Sequence, residues 1–239
     1  MKFSFALWLL LLTFTGSAAA QTHTQAHPSA TPPTGVPVKP GTTPVPISFP
    51  WDKGEVSLRT YTNKSLGFEV TFPDTWLIPG DDFESSMKSQ GFDLGLKAPD
   101  SLPQPTKIRM NAALKKVQVL LTAYRSMPGS TDNAIVRISA EDLTADPQIK
   151  DAVDYVDAVR SMYSTMHLPP DFKYSETQAE QLANGKQLAY LDTTSKEGKK
   201  RMYVTVRNSV AILFTISYTK PDDLETLRTV LGTGNFKLQ

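Results

Sequence analysis

Large apolar residues recur along the chain at two spacings. Leu66, Phe68, Val70 and Phe72 alternate with Gly67, Glu69 and Thr71, the period of two that buries one face of a strand. Pro73 stops this strand, Trp76 follows it, and Asn63 to Ser65 supply the turn before it. The same period places Val117, Val119, Leu121 and Ala123 against Gln118, Thr122 and Tyr124. It also places Ala134, Val136, Ile138 and Ala140 against Arg137 and Ser139, with a turn-rich loop at 127–133 between the two strands.

The late part of the chain carries the clearest strands. Asn184-Gly185 lies between two extended runs and predicts a two-residue hairpin, because both central positions of that turn need positive φ. Met202, Val204 and Val206 alternate with Arg201, Tyr203, Thr205 and Arg207, and Asn208-Ser209 turns the chain. In the return strand Val210, Ile212, Phe214, Ile216 and Tyr218 fill one face, while Ala211 and Leu213 make the other apolar as well. Such a strand is covered on both sides and belongs in the middle of a sheet.

Two segments show helical spacing instead. After Asp146-Pro147, an N-cap followed by proline, Ile149, Ala152, Val153, Val156, Val159, Tyr163 and Met166 fall three and four apart. They predict a helix of about 19 residues, closed by Pro169-Pro170. A second helix opens at Pro221, points Leu224, Leu227 and Leu231 inward and closes at Gly232; a short strand over 235–238 then returns to the sheet. Helices separated by hairpins predict an α+β domain: an α/β/α sandwich with a central antiparallel sheet of six to seven strands and helices on its faces.

Composition changes the picture at the amino-terminal end. Lys2, an apolar run from Phe5 to Phe14 and the small residues Ala18, Ala19 and Ala20 form a secretory signal over 1–20, cleaved after the alanines. The apolar run is about half the roughly 20 residues that a spanning helix needs. Residues 21–54 are rich in Pro, Thr and Ser and cannot bury enough surface to offset their ordering entropy, so a disordered tail is expected there. Residues 55–239 form one globular domain, long enough to bury roughly 70% of its unfolded surface. Setting Lys2 aside leaves 24 basic residues against 24 acidic ones, a balance that favours neither nucleic acid nor an anionic membrane. There is no cysteine, which excludes disulfides, thiol catalysis and thiolate metal sites. An exported domain of this size without disulfides points to a bacterial envelope and a secreted or periplasmic location.

Candidate chemistry is sparse. Ser85 and Lys88 match S-x-x-K, and Ser130 to Asn133 is faintly like the S-D-N element, but no K-T-G completes the penicillin-binding pattern. His167 is the one histidine of the globular part, and no G-x-S-x-G presents a serine to it; at a helix C-terminus it complements the dipole. Asp151, Asp154 and Asp157 share a polar helix strip, read as a solvated face. His23 and His27 fall in the tail, where their spacing has no helix to act through. Lys196, Lys199, Lys200 and Arg201 make a basic hairpin tip, a weak anion or partner patch. No phosphate loop and no aromatic–basic interleaving occurs, so nucleotide and nucleic-acid partners are not expected, nor is any cofactor or metal.

The stretch YTNKSLGFEVTFPDTW at 61–76 resembles the amino-terminal signature of the PsbP/Mog1-like superfamily, a tyrosine-led turn before a gF-x-x-x-(F/Y)-P-x-x-W strand pair. VRNSVAILFTISYTKPDDLETLRTVLGTGNF at 206–236 resembles the ending of the same families. The resemblance implies an α/β/α sandwich around an antiparallel sheet and a non-catalytic binding module. Plant members are extrinsic photosystem subunits and yeast-type members bind a small GTPase; the export signal and tail argue against that second role. It implies no catalytic residue. Three readings therefore stand: an exported binding or accessory protein, a secreted hydrolase around Ser85, Lys88 or His167, and a small-ligand carrier with a cleft between sheet and helix.

Overall fold

A computed structural model describes residues 51–80, 82–96, 98, 102–130, 132–196 and 198–237, and the backbone alone at Arg109. The signal with Ala18 and Ala20, the tail, and His23 and His27 lie outside the described residues. Three short strands come first, β1 (Glu55–Ser57), β2 (Thr60–Asn63) and β3 (Phe68–Thr71), followed by helices α1 (Phe83–Ser89) and α2 (Gln104–Leu114). The strands β4 (Val117–Tyr124) and β5 (Ile135–Asp142) lead to α3 (Ala152–Tyr163). The chain ends with β6 (Lys173–Tyr174), β7 (Gln178–Gln181), β8 (Gln187–Ser195), β9 (Gly198–Arg207), β10 (Val210–Tyr218) and α4 (Pro221–Thr233).

The strands β4-β5-β10-β9-β8 run antiparallel in that order, and β6 and β7 both pair with β8 to complete a seven-stranded sheet. The strand with two apolar faces, β10, is central as its pattern requires. Asn208 and Ser209 adopt φ of 47° and 58°, the left-handed pair that lets β9 fold back on β10 through a two-residue turn. Opposite faces of the sheet feed two cores. One holds Val136, Ile138, Tyr203, Ile212 and Phe214 against α4 and the small β1-β2-β3 sheet. The other holds Leu191, Met202, Val204 and Leu213 against α3. This is the α/β/α sandwich of the sequence reading, with the three-stranded sheet sharing one outer layer with α4.

Several local expectations are corrected. The opening strands do not join the main sheet; β2 and β3 pair with each other, and Phe68 packs edge-on against Phe214 at 5.4 Å from the layer above. The closing strand over 235–238 is reduced, within the described residues, to a bridge between Asn235 and Glu69, so it returns to β3. The long helix starts at Asp151, not Asp146, and spans 12 residues. Asp151 is extended at φ −141° and its carboxylate accepts the Val153 and Asp154 amides, while Asp146 closes a separate turn. The helix then buries Tyr155, Val156, Val159, Met162 and Tyr163, and Val153 points outward, 45% exposed. A bulge at Leu120 breaks the alternation of β4, so Val117 and Val119 face one core and Leu121 and Ala123 the other. The Asn184-Gly185 hairpin closes through three residues, with Leu182 N donating to Lys186 O and only Gly185 left-handed at φ 78°. Helices α1 and α2 are additions to the sequence reading.

Candidate functional site

The polar face of β5 decides where the site lies. Cross-strand pairing sets Arg137, Ser139 and Glu141 opposite Thr215, Leu213 and Ala211 of β10, hence on the α3 side of the sheet. All three are buried, Arg137 to 5% exposure and the others completely. Alternation alone assigns this face to solvent. It is dry because β5 lies beside the doubly covered β10, and the signal was available in that neighbour's apolar second face.

Helix α3 packs over β8 and β9, so another cover serves β4 and β5. The chain reaches it around the outer edge of β4, where Leu77 and Tyr124 exchange backbone hydrogen bonds of 2.7 and 2.9 Å. Helix α1 then sets the Phe83 ring 5.7 Å from that of Tyr124. Helix α2 buries Met110, Ala113 and Leu114 against Ala98 and Leu102. Two polar ties fix the segment between the helices. Arg137 Nη2 donates to Leu94 O at 2.7 Å, and Ala98 N donates to Asn111 Oδ1 at 2.9 Å.

Between this cover and the sheet lies a cleft of about 520 Å3. Leu94, Leu96, Leu114, Val117 and Val119 make its walls apolar. Arg137 and its cross-strand partner Thr122 occupy one end beside Glu84 of α1, and Lys115 stands at the other. Burial holds the Arg137 guanidinium below its ordinary pKa, and the phenol of Tyr124 and the carboxylate of Glu84 act against that shift. Burial likewise raises the Tyr124 phenol, which Arg137 partly offsets. A cavity of this size, apolar with a few convergent polar groups, is the form taken by small-molecule sites.

Further along β5, Glu141 accepts a 2.7 Å hydrogen bond from the Tyr155 hydroxyl through Oε2. Its Oε1, like Ser139 Oγ and Thr215 Oγ1, has no hydrogen-bond partner among the described residues. Burial pushes the Glu141 carboxyl up to about 8; the Tyr155 hydrogen bond opposes this and Asp146 adds to it.

The residues singled out from sequence are placed elsewhere. Ser85 and Lys88 are exposed on α1, and the Ser85 hydroxyl donates to Asp82 O at 2.8 Å. His167 is exposed beyond the end of α3. No hydrogen bond or ion pair among the described residues joins these three. Asp154 Oδ2 accepts the Lys150 amide, and Asp157 receives Arg160 and Thr177, so the helix strip is engaged locally. Asn133 closes its loop by accepting the Ser126 amide at 2.8 Å. At the β8–β9 tip Lys196 and Lys199 are exposed and Lys200 is buried. Arg201 faces away from Lys200 and pairs bidentately with Asp192, both contacts 2.7 Å. It lies 4.0 Å over the Tyr190 ring and meets Tyr203 and Glu180, and Glu180 in turn receives Arg228 at 2.6 Å. A cleft between sheet and helix was among the sequence readings; what sequence reasoning missed is its place and its lining residues, because α1 and α2 carry no strong periodic stripe.

No protein-family model matches the sequence, and no curated protein is similar to it. Among solved structures, the chain is similar to the cyanobacterial PsbP (CyanoP) of Synechocystis sp. PCC 6803, with 14% identity and a TM-score of 0.40 over 80% of this chain and 99% of that one. It is also similar to a protein of Bacteroides thetaiotaomicron VPI-5482, with 10% identity and a TM-score of 0.31 over 77% of this chain and 49% of that one.

Proposed function

We propose that this protein is an exported, non-catalytic binding protein that holds a small, largely apolar ligand in the cleft between the β4–β5 end of the sheet and α2. The cleft carries the reading: five aliphatic side chains line about 520 Å3 beside a few polar groups. The amino-terminal signal supports export. No helix among the described residues is long and apolar enough to cross a membrane. The dispersal of Ser85, Lys88 and His167 favours binding over hydrolysis at those residues.

The test is fluorescence titration with neutral phenylnaphthylamine, which brightens in apolar surroundings. Saturable brightening is expected with the wild-type protein. It should be lost in Leu96→Trp, where a half-buried wall residue is enlarged to fill the cleft. Far-UV circular dichroism checks that the variant is folded. A folded wild-type protein that gives no saturable brightening would remove the proposal.

A further inference from the structure

The cleft is not electrically neutral. Its lining includes two cationic side chains, Arg137 and Lys115, and one anionic one, Glu84. Arg137 rises from the floor strand at 5% exposure, whereas Glu84 stands exposed on α1. Thr122 lies directly across the strand pair from Arg137, where facing Cβ atoms are roughly 5 Å apart. One end of the cleft thus carries a guanidinium, whose Nη2 donates to Leu94 O at 2.7 Å, and a threonine. From Thr122 to Val117 the floor runs on for roughly 15 Å of strand at about 3.3 Å per residue. Over that length its walls are Leu94, Leu96, Leu114, Val119 and Val117.

We propose that the cleft is selective for small amphipathic monocarboxylates, the carboxylate seated at Arg137 and Thr122 and the apolar body lying along Val119 and Val117 toward Leu114. This rests on the cleft being a ligand site and specifies what it takes. A planar guanidinium matches a carboxylate with two parallel hydrogen bonds, which a point charge does not. The surplus of one positive charge suits a monoanion. Glu84 lines the same end of the cleft and acts electrostatically on Arg137 from the rim. A ligand carboxylate therefore competes with Glu84 for the guanidinium. The aliphatic walls exclude water along the body and leave a hydrophilic anion such as acetate with little to gain.

The decisive measurement is calorimetric titration of the full chain with octanoate, octanol and octylamine. A charge-assisted hydrogen bond to a buried guanidinium predicts octanoate binding roughly tenfold or more tighter than octanol. Octylamine should bind more weakly than octanol. Glu84→Gln should raise octanoate affinity about threefold relative to octanol, as removal of a competing charge requires. Arg137→Gln should bring octanoate down to the level of octanol; if that variant fails to fold, the ligand series and Glu84→Gln still decide. Equal binding of octanoate and octanol by the wild-type protein overturns the charge selectivity and leaves the cleft standing. Absence of binding by all three overturns both.

Discussion

Glu141 lies completely buried on the α3 side of β5 with one carboxylate oxygen on Tyr155 and the other without a hydrogen-bond partner among the described residues. Its ordinary pKa is 4.5 and burial raises it to about 8 in the fold. Between those values the unfolded chain has released a proton that the folded chain keeps. Stability from this group is therefore greatest below about 4.5, falls as pH rises toward 8, and is level above it. The fall amounts to a few kcal/mol at most, on the scale of about 1.4 kcal/mol per pKa unit. Urea unfolding followed from pH 4.5 to 9 should show this decline in the wild-type protein. In Glu141→Gln, which keeps the shape and cannot ionise, the decline should be smaller by that amount; parallel pH profiles would contradict the assignment. Little of this was legible residue by residue. Arg137, Ser139 and Glu141 alternate with aliphatic residues as any half-wet strand does, and only their position beside β10 makes them dry.

At the scale of elements, the hairpin between β7 and β8 doubles as a stop for α4. Asn184 Nδ2 donates to the carbonyls of Leu231 and Gly234 at 2.9 and 2.8 Å, the former also accepting the Gly234 amide at 3.3 Å. The approach is close: a Cβ on Gly232 would meet that of Ala183 at 3.3 Å. Asn184→Ala removes both bonds, and the one its Oδ1 accepts from the Lys186 amide at 3.0 Å, and should cost about 1–3 kcal/mol in chemical denaturation. Because Gly185 carries the left-handed turn, the hairpin itself should persist, so the loss should appear as faster amide exchange in the last turn of α4. The elements the sequence reveals are those with a strict period: β9, β10, the core of α3 and α4. Those it hides have local reasons. Among its described side chains helix α2 buries Met110, Ala113 and Leu114 and leaves Ile108 61% exposed, so no stripe marks it. The single inserted residue Leu120 hands the apolar side of β4 from one core to the other, and a fixed period cannot follow it. Asp146 and Asp151 are equally good caps in sequence, and the choice rests on which backbone is extended.

At the scale of the whole molecule, Trp51, Asp52 and Lys53, just ahead of β1, belong to the folded body. Lys53 O accepts the Tyr61 hydroxyl at 2.7 Å, Asp52 O accepts Asn63 Nδ2 at 3.2 Å, and Trp51 packs against the core shared with α4. Tyr61 and Asn63 are buried, so a chain that starts at residue 60 leaves two polar groups short of partners, at about 1–3 kcal/mol each. A chain that starts at 51 should unfold cooperatively at the same denaturant midpoint as the longest form. One that starts at 60 should unfold at a clearly lower midpoint, and equal midpoints for both would count against this. The layering was the most legible feature of the sequence, because paired apolar faces on β10 require cover above and below. That the cover over β4 and β5 is loose enough to leave a cleft depends on how α1, α2 and the segment between them settle, which no periodicity encodes.

The side on which Trp51 joins the body has a geometric corollary. It packs in the layer of α4 and the small sheet, and the cleft opens in the opposite layer, under α2. A surface or partner that grips the protein by its amino-terminal side would thus leave the cleft on the far side, away from the point of attachment and free to meet solutes arriving from beyond.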